Sequence, residues 1–288
     1  MSRIIVIVGP TASGKTYLSI NIAKKLNADI ISCDSRYLYK EPLIATAKVT
    51  KTEMDSVTHH MIDVISLNDD YSIFNYQKDA RKILDKLISM NKNIVIVGGS
   101  GLYLKALLYN YDLKEVEKSN IDFSSYTNEE LKNKLDSLYK NNIHVNNRKR
   151  LERAINSYYE NDGNVNNEKN CFEKVYDFET IGLKVNRELL YTKINNRVDD
   201  MVNEGLLLEA NELYKMNFKH FNEIIGYKEL IEYFKGNITL DSALEEIKKD
   251  TRRYAKRQIT WFNNQMPDIK WYDIDYSIES YKKIIDDI

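Results

Sequence analysis

Few residues in this sequence break or cross-link a chain: it has three prolines, ten glycines and two cysteines among 288 residues. So little proline and glycine argues against long flexible linkers, and the length suits one large domain or a core domain with a smaller attachment. Cys33 and Cys171 lie far apart and fit no metal-ligand spacing. They are therefore expected to be free thiols in a reducing cytoplasm.

A strong net charge and long apolar runs are also missing. The 42 basic residues nearly balance the 43 acidic ones, so any nucleic-acid binding has to come from local basic clusters. The apolar run at residues 4–8 ends at Gly9 and Pro10, so it predicts a buried strand that is too short to span a membrane. Hydrophobic residues at 43% and charged residues at 30% are typical of a globular protein with a core.

A glycine-rich motif follows this first strand. Gly9, Gly14, Lys15 and Thr16 match the GxxxxGK[ST] pattern in full, between a β-branched run and a helical pattern. The backbone N–H groups of such a loop wrap an anion, its lysine supplies charge for phosphate oxygens, and its threonine hydroxyl suits Mg²⁺. We call residues Gly9–Thr16 the glycine loop and predict that it binds a polyphosphate, although the motif does not identify which one.

The order of elements predicts an α/β fold with a parallel sheet. Strand, loop, helix and strand follow one another over residues 3–33, and a helix (74–90) leads to a second buried strand (93–98) that ends in glycines. The loops after these strands should share the carboxyl edge of the sheet, where open α/β sheets bind ligands. A further strand is predicted at 178–185, and everything from Arg187 onward reads as helices.

Polar, Asn- and Lys-rich sequence from residue 111 to about residue 147 predicts a helical insertion. Residues 1–110 and about 148–288 would then form the core, with a loop at 161–170.

Asp34 is the one carboxylate at the predicted binding edge. A nucleotide-hydrolysing enzyme usually carries an acidic residue at the end of a second strand to hold Mg²⁺, yet strand 93–97 ends in Gly98, Gly99 and Ser100. Asp34 follows the strand at 28–33 and should lie near the glycine loop, where it could act as a base or a metal partner. A lone aspartate after a strand is more often a turn or cap residue.

A succession of segments resembles the tRNA dimethylallyltransferase (tRNA isopentenyltransferase) family and covers nearly the whole chain except residues 111 to about 147. The segments are GPTASGKT, ISCDSRYLY, IATAKVT, HHMIDV, YSIFNYQKDA, VGGSGLYLKALL, RLERAI, IGLKVNRELLYTKINNRVDDMVNEGLL, IIGYKEL and TRRYAKRQITWF. The resemblance implies a P-loop NTPase-like parallel sheet flanked by helices, with a small helical insertion and a helical C-terminal region.

The same resemblance implies an activity. A dimethylallyl group would pass from dimethylallyl diphosphate to the N6 amine of the adenosine immediately 3′ of the anticodon, in tRNAs that read codons beginning with U. In the family the glycine loop holds the diphosphate of the prenyl donor, Mg²⁺ is used, and a carbon–oxygen bond breaks. The expected partners are the tRNA anticodon stem-loop and the donor, with no membrane and no obligate protein partner, in a cytoplasmic monomer.

Roles carried over from the family fall on three groups of residues. Asp34 would be the general base and Arg187 a clamp on the diphosphate, while Thr16 would also contact Mg²⁺. The diphosphate-binding loop would comprise Gly9, Pro10, Thr11, Ala12, Ser13, Gly14, Lys15 and Thr16, of which Lys15 and Thr16 are also assigned to catalysis. The residues assigned to tRNA are Asp34, Ser35, Arg36, Tyr37, Ser100, Lys132, Lys149, Arg150, Leu151, Glu152 and Arg153.

Three other functions stay open. An adenylate isopentenyltransferase would share the glycine loop and the aspartate, a small-molecule P-loop kinase would use ATP, and a non-catalytic RNA-binding protein would not need Asp34. The basic segments RKRLER and TRRYAKRQITWF favour tRNA, although a basic run is usually a solvated helix face. His59 and His60 fit no metal spacing, and Trp261 and Trp271 are expected to be packing residues.

Overall fold

The computed structural model describes residues 2–111, 113, 121–160 and 173–288. The strands in these ranges are β1 (Ile4–Val8), β2 (Ala28–Ser32), β3 (His59–His60), β4 (Asn93–Gly98), β5 (Glu179–Val185) and β6 (Ile269–Ile274). They form one parallel sheet in the order β3-β2-β4-β1-β5-β6. The helices are α1 (Lys15–Leu26), α2 (Lys51–Met54), α3 (Ile73–Ser89), α4 (Gly101–Leu108), α5 (Asn128–Leu138), α6 (Arg148–Glu160), α7 (Arg187–Asn203), α8 (Leu206–Lys215), α9 (Ile231–Phe234), α10 (Leu240–Gln265) and α11 (Ile278–Asp286).

Strand β1 is buried on both sides of the sheet. Ile4, Val6 and Val8 belong to the core that includes α3 and α4, whereas Ile5 and Ile7 belong to the core that includes α1, α7 and α11. Successive strand residues point to opposite faces, so a strand covered on both sides has to be apolar throughout. This packing explains why the run of β-branched residues was recognisable as a central parallel strand.

The register of the sheet brings the ends of three strands level. Val8 pairs with Gly98 of β4, and Val97 pairs with Ser32 of β2. Gly98 has to be a glycine, because a Cβ there would lie 2.3 Å from the carbonyl oxygen of Cys33 in the chain leaving β2. The loops after β1, β2 and β4 therefore leave from the same edge of the sheet.

The predicted parallel sheet with flanking helices is confirmed, but the prediction that only helices follow Arg187 was wrong. Strand β6 pairs with β5 at the edge of the sheet, with Lys270 and Asp273 exposed. An edge strand of mixed polarity lacks the continuous apolar run that marked β1 and β4. The two-residue strand β3 on the opposite edge was missed for the same reason and because it is so short. Trp271 packs against Gly182, and Trp261 packs against Gly101.

The chain divides into two compact units, residues 1–110 with 172–288 and residues 111–171. In the smaller unit, Leu131 and Leu135 of α5 pack with Leu151 and Ile155 of α6 and with Phe123. Helix α6 is therefore part of this unit, whereas the prediction placed it in the core from about residue 148. The predicted loop at 161–170 and Cys171 lie outside the described residues, while Cys33 is a buried free thiol.

The helices that follow β5 have a core of their own in the larger unit. Leu206, Leu230 and Tyr227 are fully buried there, together with Val198 of α7 and Ile247 of α10. Among the described helices, none is both long enough and apolar enough to cross a membrane.

Candidate active site

The glycine loop joins β1 to α1 at the level edge of the sheet. Gly14 adopts φ 82°, a conformation that favours glycine, and no side chain caps the start of α1. The first N–H groups of a helix have no partner within that helix, so this uncapped turn leaves donors for an anion. The ammonium group of Lys15 folds back and donates to the carbonyl of Pro10 at 2.6 Å. The loop lines a cavity of about 1020 Å³.

Gln258 of α10 fixes the first part of this loop. Its Oε1 accepts a hydrogen bond from the N–H of Thr11 at 2.7 Å, and its Nε2 donates to the carbonyl of Gly99 at 3.0 Å. One buried amide thus connects the loops that follow β1 and β4. The sequence prediction did not single out Gln258. A signal was available, since Ala255, Gln258 and Phe262 lie on the buried side of α10, where a polar residue needs partners.

Asp34 lies directly after β2 at the same edge. Its Oδ1 accepts from the N–H of Arg36 at 2.9 Å, and the N–H of Ser35 donates to the hydroxyl of Ser100 at 3.1 Å. Ser100 begins the turn into α4, so it connects the loop after β2 to the loop after β4. The carboxylate of Asp34 is partly exposed and belongs to the lining of two cavities, the large one and a smaller one.

Tyr37 lines the large cavity alongside the glycine loop. Its hydroxyl donates to the carbonyl of Ala47 at 2.6 Å. Burial raises the pKa of this phenol well above its ordinary value, and the nearby Asp34 carboxylate raises it further. Tyr37 therefore keeps its proton and acts as a hydrogen-bond donor within the wall of the cavity.

Lys15 is the most strongly perturbed cation of the site. Burial lowers the pKa of its ammonium group to about 8, which Asp34 opposes by raising it and Arg197 reinforces by lowering it. A buried lysine without a full counter-charge holds its proton less tightly, and an incoming anion restores that counter-charge. The electrostatics therefore favour a negatively charged ligand in the cavity.

Arg187, predicted as a clamp, does not line either cavity. It is exposed at the start of α7, with its guanidinium 5.2 Å from the centre of the Tyr191 ring. Arg197 lies ten residues further along the same helix, about 15 Å along its axis and on a different side. Lys193 and Arg197 both line the large cavity. Lys193, Arg197 and Met201 are spaced four residues apart, which places them on one face of the helix. That spacing could have identified the cavity-facing side of α7, but the prediction relied on the motif match at Arg187.

The smaller cavity has a volume of about 300 Å³. It lies between α7, α10 and the chain after Asp34, and it shares Thr11, Asp34, Thr46, Arg197 and Met201 with the large cavity. Its lining also includes Ser35, Arg36, Ile225, Gly226, Tyr254 and Arg257. It thus combines cationic, aromatic and apolar groups in a small volume next to a carboxylate.

The loop at 42–48 closes the large cavity on one side. The carboxylate of Glu209 on α8 accepts from the N–H groups of Leu43, Ile44 and Ala45 at 2.9–3.2 Å, and from the Tyr227 hydroxyl at 2.6 Å. Within this loop the buried Lys48 donates to the carbonyl of Tyr39 and to Asp63, each at 2.6 Å. The wall of the cavity is therefore fixed by charged side chains whose partners are mainly backbone groups.

Mg²⁺ suits the groups that face the large cavity. The described residues contain no cluster of three or more acidic, histidine or cysteine side chains able to enclose a metal. Mg²⁺ is commonly held by one or two protein oxygens, with phosphate oxygens and water completing its shell. The hydroxyl of Thr16 and the carboxylate of Asp34 both line the cavity and meet that requirement.

His59 and His60 have structural partners. Nδ1 of His59 lies 2.9 Å from the carbonyl of Val57, and Nε2 of His60 lies 2.9 Å from the Asp29 carboxylate.

The residues assigned to tRNA in the smaller unit differ in exposure. Lys149, Arg150 and Arg153 are exposed on α6 and form no ion pair with another described residue. Leu151, in contrast, is fully buried in the core of the unit, so its assignment to RNA contact was wrong. Other assigned side chains are paired locally, Glu152 with Arg148 at 2.7 Å and Lys132 with Asp136 and Asn141.

Helix α10 carries a second group of basic residues, Lys248, Lys249, Arg252, Arg253, Lys256 and Arg257, and half of them pair with acidic side chains. Lys248 pairs with Asp199 at 2.8 Å and Lys249 with Glu246 at 2.7 Å. Arg253 pairs with Asp250 at 3.2 Å, and Arg252 donates to the side chain of Asn195. Arg257 is the member that lines the smaller cavity.

A parallel sheet with a glycine loop between its central strand and first helix belongs to the P-loop NTPase-like class of α/β proteins. Within that class the comparisons identify one family. Residues 37–265 match the family model described as IPP transferase. The chain is 40% identical to the tRNA dimethylallyltransferase of Enterococcus faecalis, over 94% of this chain and 92% of that protein. It is 41% identical to the enzyme of the same name from Bacillus pumilus, over 94% and 89% respectively.

Solved structures agree. The tRNA delta(2)-isopentenylpyrophosphate transferase of Staphylococcus epidermidis superposes with a TM-score of 0.75 at 39% identity, covering all of this chain and 97% of that one. A eukaryotic dimethylallyltransferase acting on tRNA superposes with a TM-score of 0.78 at 26% identity, covering 95% and 74%. The chain belongs to the IPP transferase family, which confirms the family predicted from its motifs.

Glu209→Gln should destabilise the wall of the cavity. The amide oxygen of glutamine can replace only one carboxylate oxygen, and its NH₂ group would face backbone donors. Because hydrogen bonds to charged groups contribute more than neutral ones, we expect a loss of about 2–3 kcal/mol in the free energy of unfolding. Chemical denaturation measures it. Glu212→Gln, an exposed position on the same helix, is the control and should change stability by less than about 0.5 kcal/mol. Equal stability of the two variants would contradict the role of Glu209.

Proposed function

We propose that this protein transfers a dimethylallyl group from dimethylallyl diphosphate to the N6 amine of the adenosine adjacent to the anticodon on its 3′ side, in tRNAs that read codons beginning with U. The observation that carries the proposal is the position of Asp34, whose side chain lines both cavities. The large cavity would hold the donor against the glycine loop, and the small one would hold the adenine. A carboxylate between them reaches the reacting amine.

The donor end of the site neutralises a leaving diphosphate. Lys15, Lys193 and Arg197 line the large cavity, and the uncapped first turn of α1 adds backbone donors. Mg²⁺, which the Thr16 hydroxyl would hold together with the diphosphate oxygens, would supply further positive charge there. Preorganised charges of this kind stabilise the negative charge that develops on a leaving group, without the reorganisation that water requires.

The transfer step needs one proton acceptor. The N6 nitrogen attacks the allylic carbon, a carbon–nitrogen bond forms, and the carbon–oxygen bond to the diphosphate breaks. The nitrogen then carries an extra proton, which passes to the carboxylate of Asp34. The hydrogen bond from the N–H of Arg36 orients this carboxylate at 2.9 Å and leaves its second oxygen for the substrate.

The smaller cavity suits an adenine base that is no longer stacked on its neighbours in the RNA. A cavity of about 300 Å³ lined by Tyr254, Arg36 and Arg257 offers ring and guanidinium planes to a flipped adenine. The exposed cations of α6 suit contacts to the RNA backbone. The similarity of this chain to enzymes named for tRNA supports tRNA, and not a free adenine nucleotide, as the acceptor. We place this activity in the cytoplasm, in a protein that works without an obligate protein partner.

The activity is tested by incubating purified protein, Mg²⁺ and labelled dimethylallyl diphosphate with unmodified tRNA or with AMP. Label should enter tRNA far faster than AMP, and faster labelling of AMP would contradict the proposal. Asp34→Asn should lower the transfer rate by about 100-fold or more, because general-base catalysis is lost. Its affinity for tRNA, measured by filter binding, should stay within about twofold, because phosphate contacts from cations and not a single partly exposed carboxylate supply most RNA affinity. Full activity of Asp34→Asn would show that another group takes the proton.

Arg197→Ala and Arg187→Ala form a matched pair on one helix. Arg197 lines the donor cavity, so its loss should raise the KM for dimethylallyl diphosphate by about 10- to 100-fold, the range for a hydrogen bond to a charged group. Arg187 is exposed and lies on Tyr191, so its replacement should change that KM by less than about twofold. Steady-state kinetics at saturating tRNA decide between them. A larger effect at Arg187 would reverse the assignment.

Binding of inorganic diphosphate should depend on the charge of Lys15. Its pKa is lowered to about 8 in the free protein, and a bound anion raises it again. Below that pH the ammonium is charged in both states, whereas above it binding takes up a proton, so affinity should fall between about pH 8 and 9.5. Calorimetry in buffers of different ionisation enthalpy measures the proton uptake. Lys15→Arg stays charged throughout and should lose this dependence. An affinity that does not change with pH in the unaltered protein would contradict the argument.

A further inference from the structure

Two tyrosines from the C-terminal part of the chain contact the glycine loop. The hydroxyl of Tyr276, just after β6, donates to the carbonyl of Ala12 at 2.9 Å, and the hydroxyl of Tyr281 on α11 donates to the carbonyl of Ser13 at 3.2 Å. Both side chains pack with the core that includes α1, and Tyr281 is 5% exposed. Residues some 260 positions apart therefore hold consecutive carbonyls of the loop.

The fit around Tyr281 is close. A Cβ added to Gly14 would lie 2.0 Å from the Tyr281 hydroxyl oxygen, so the absence of a side chain at Gly14 is what admits the phenol. The ring of Tyr17 meets that of Tyr281 edge-on, with centroids 5.2 Å apart. Burial raises the pKa of Tyr281 to about 12, so its hydroxyl remains a donor at neutral pH.

These bonds determine where the loop amides point. In a planar trans peptide the C=O of one residue and the N–H of the next point in opposite directions. Holding the carbonyl of Ser13 toward Tyr281 therefore directs the N–H of Gly14 away from that side chain. No described residue accepts a hydrogen bond from the Gly14 N–H, which immediately precedes the uncapped first turn of α1.

Backbone conformation supports the same conclusion. Ala12 has φ 62° and Tyr276 has φ 69°, both in the left-handed region that is uncommon for residues with a side chain. Such conformations persist where the surrounding structure holds them in place. The hydrogen bond from Tyr276 to Ala12 joins these two strained positions, so each supports the conformation of the other.

We propose that Tyr276 and Tyr281 are positioning residues for the diphosphate, holding the glycine loop in its anion-binding conformation; this inference rests on the proposed donor site. Neither hydroxyl has to touch the donor. Without these bonds the loop would have to be ordered when the ligand binds, and that cost would appear as weaker binding. Residues 269–286 would then be a functional part of the site as well as the edge of the sheet.

Tyr276→Phe and Tyr281→Phe remove each hydroxyl and keep the ring. Tyr272→Phe is the matched control, because its hydroxyl donates to Asp287 at 3.1 Å in the same segment and does not reach the loop. Calorimetry with inorganic diphosphate should give a Kd raised about fivefold for each loop-facing variant, the effect of one neutral hydrogen bond. The double variant should show at least about a tenfold increase, and Tyr272→Phe less than about twofold.

Steady-state kinetics separate positioning from general stability. The KM for dimethylallyl diphosphate should rise in parallel with the Kd for diphosphate, while the KM for tRNA and the melting temperature match those of the Tyr272→Phe control. A diphosphate Kd equal to that of the control overturns the proposal, even if the melting temperature falls. The proposed function fails separately: the unaltered protein would then bind diphosphate and leave tRNA unlabelled, while the ratio of Kd values still decides the role of the tyrosines.

Discussion

The parallel pairing of β1 with β4 and of β4 with β2 decides where every other part of the site can lie. Because these strands end level, the glycine loop, Asp34 and the Gly99–Ser100 turn leave the sheet at the same edge. The close approach of the Cys33 carbonyl to Gly98 fixes the spacing between two of these loops. Longer-range groups such as Gln258 then join loops that the sheet has already brought together.

The positive charges of the site are only partly balanced by acidic residues of the protein, so an anionic ligand can supply the missing negative charge. Burial lowers the pKa of Lys15, the nearby Asp34 carboxylate only partly offsets this effect, and Arg197 adds to it. The cations that stabilise the fold are paired within the protein: Lys48 contacts Asp63 and a backbone carbonyl, and Lys248, Lys249 and Arg253 of α10 have acidic neighbours. Cations with acidic partners inside the protein therefore stabilise the fold, whereas Lys15 and Arg197 remain available for a phosphorylated substrate.

Local sequence predicted the sheet, the glycine loop and Asp34, because a β-branched run and a fixed motif spacing are each contained in a few residues. Partnerships across the chain could not be found in this way. Gln258 and Thr11 are 247 positions apart, and nothing near Gln258 identifies its partner. Strand β6 was hidden by its exposed polar residues. Helix α6 belongs to the smaller unit because Leu151 and Ile155 pack against α5. The prediction considered only the basic residues of this helix and not its apolar side.

The hydrogen bonds from Tyr276 and Tyr281 have a consequence for synthesis. A ribosome makes the glycine loop long before the groups that hold the carbonyls of Ala12 and Ser13, which come more than 260 residues later. Domains generally begin to fold from the N-terminal side as the chain emerges. A nascent chain can therefore form β1 and α1 early, but its loop acquires these partners only when translation has passed Tyr281. The growing chain therefore contains the glycine-loop motif well before the loop has all the hydrogen bonds that hold its conformation.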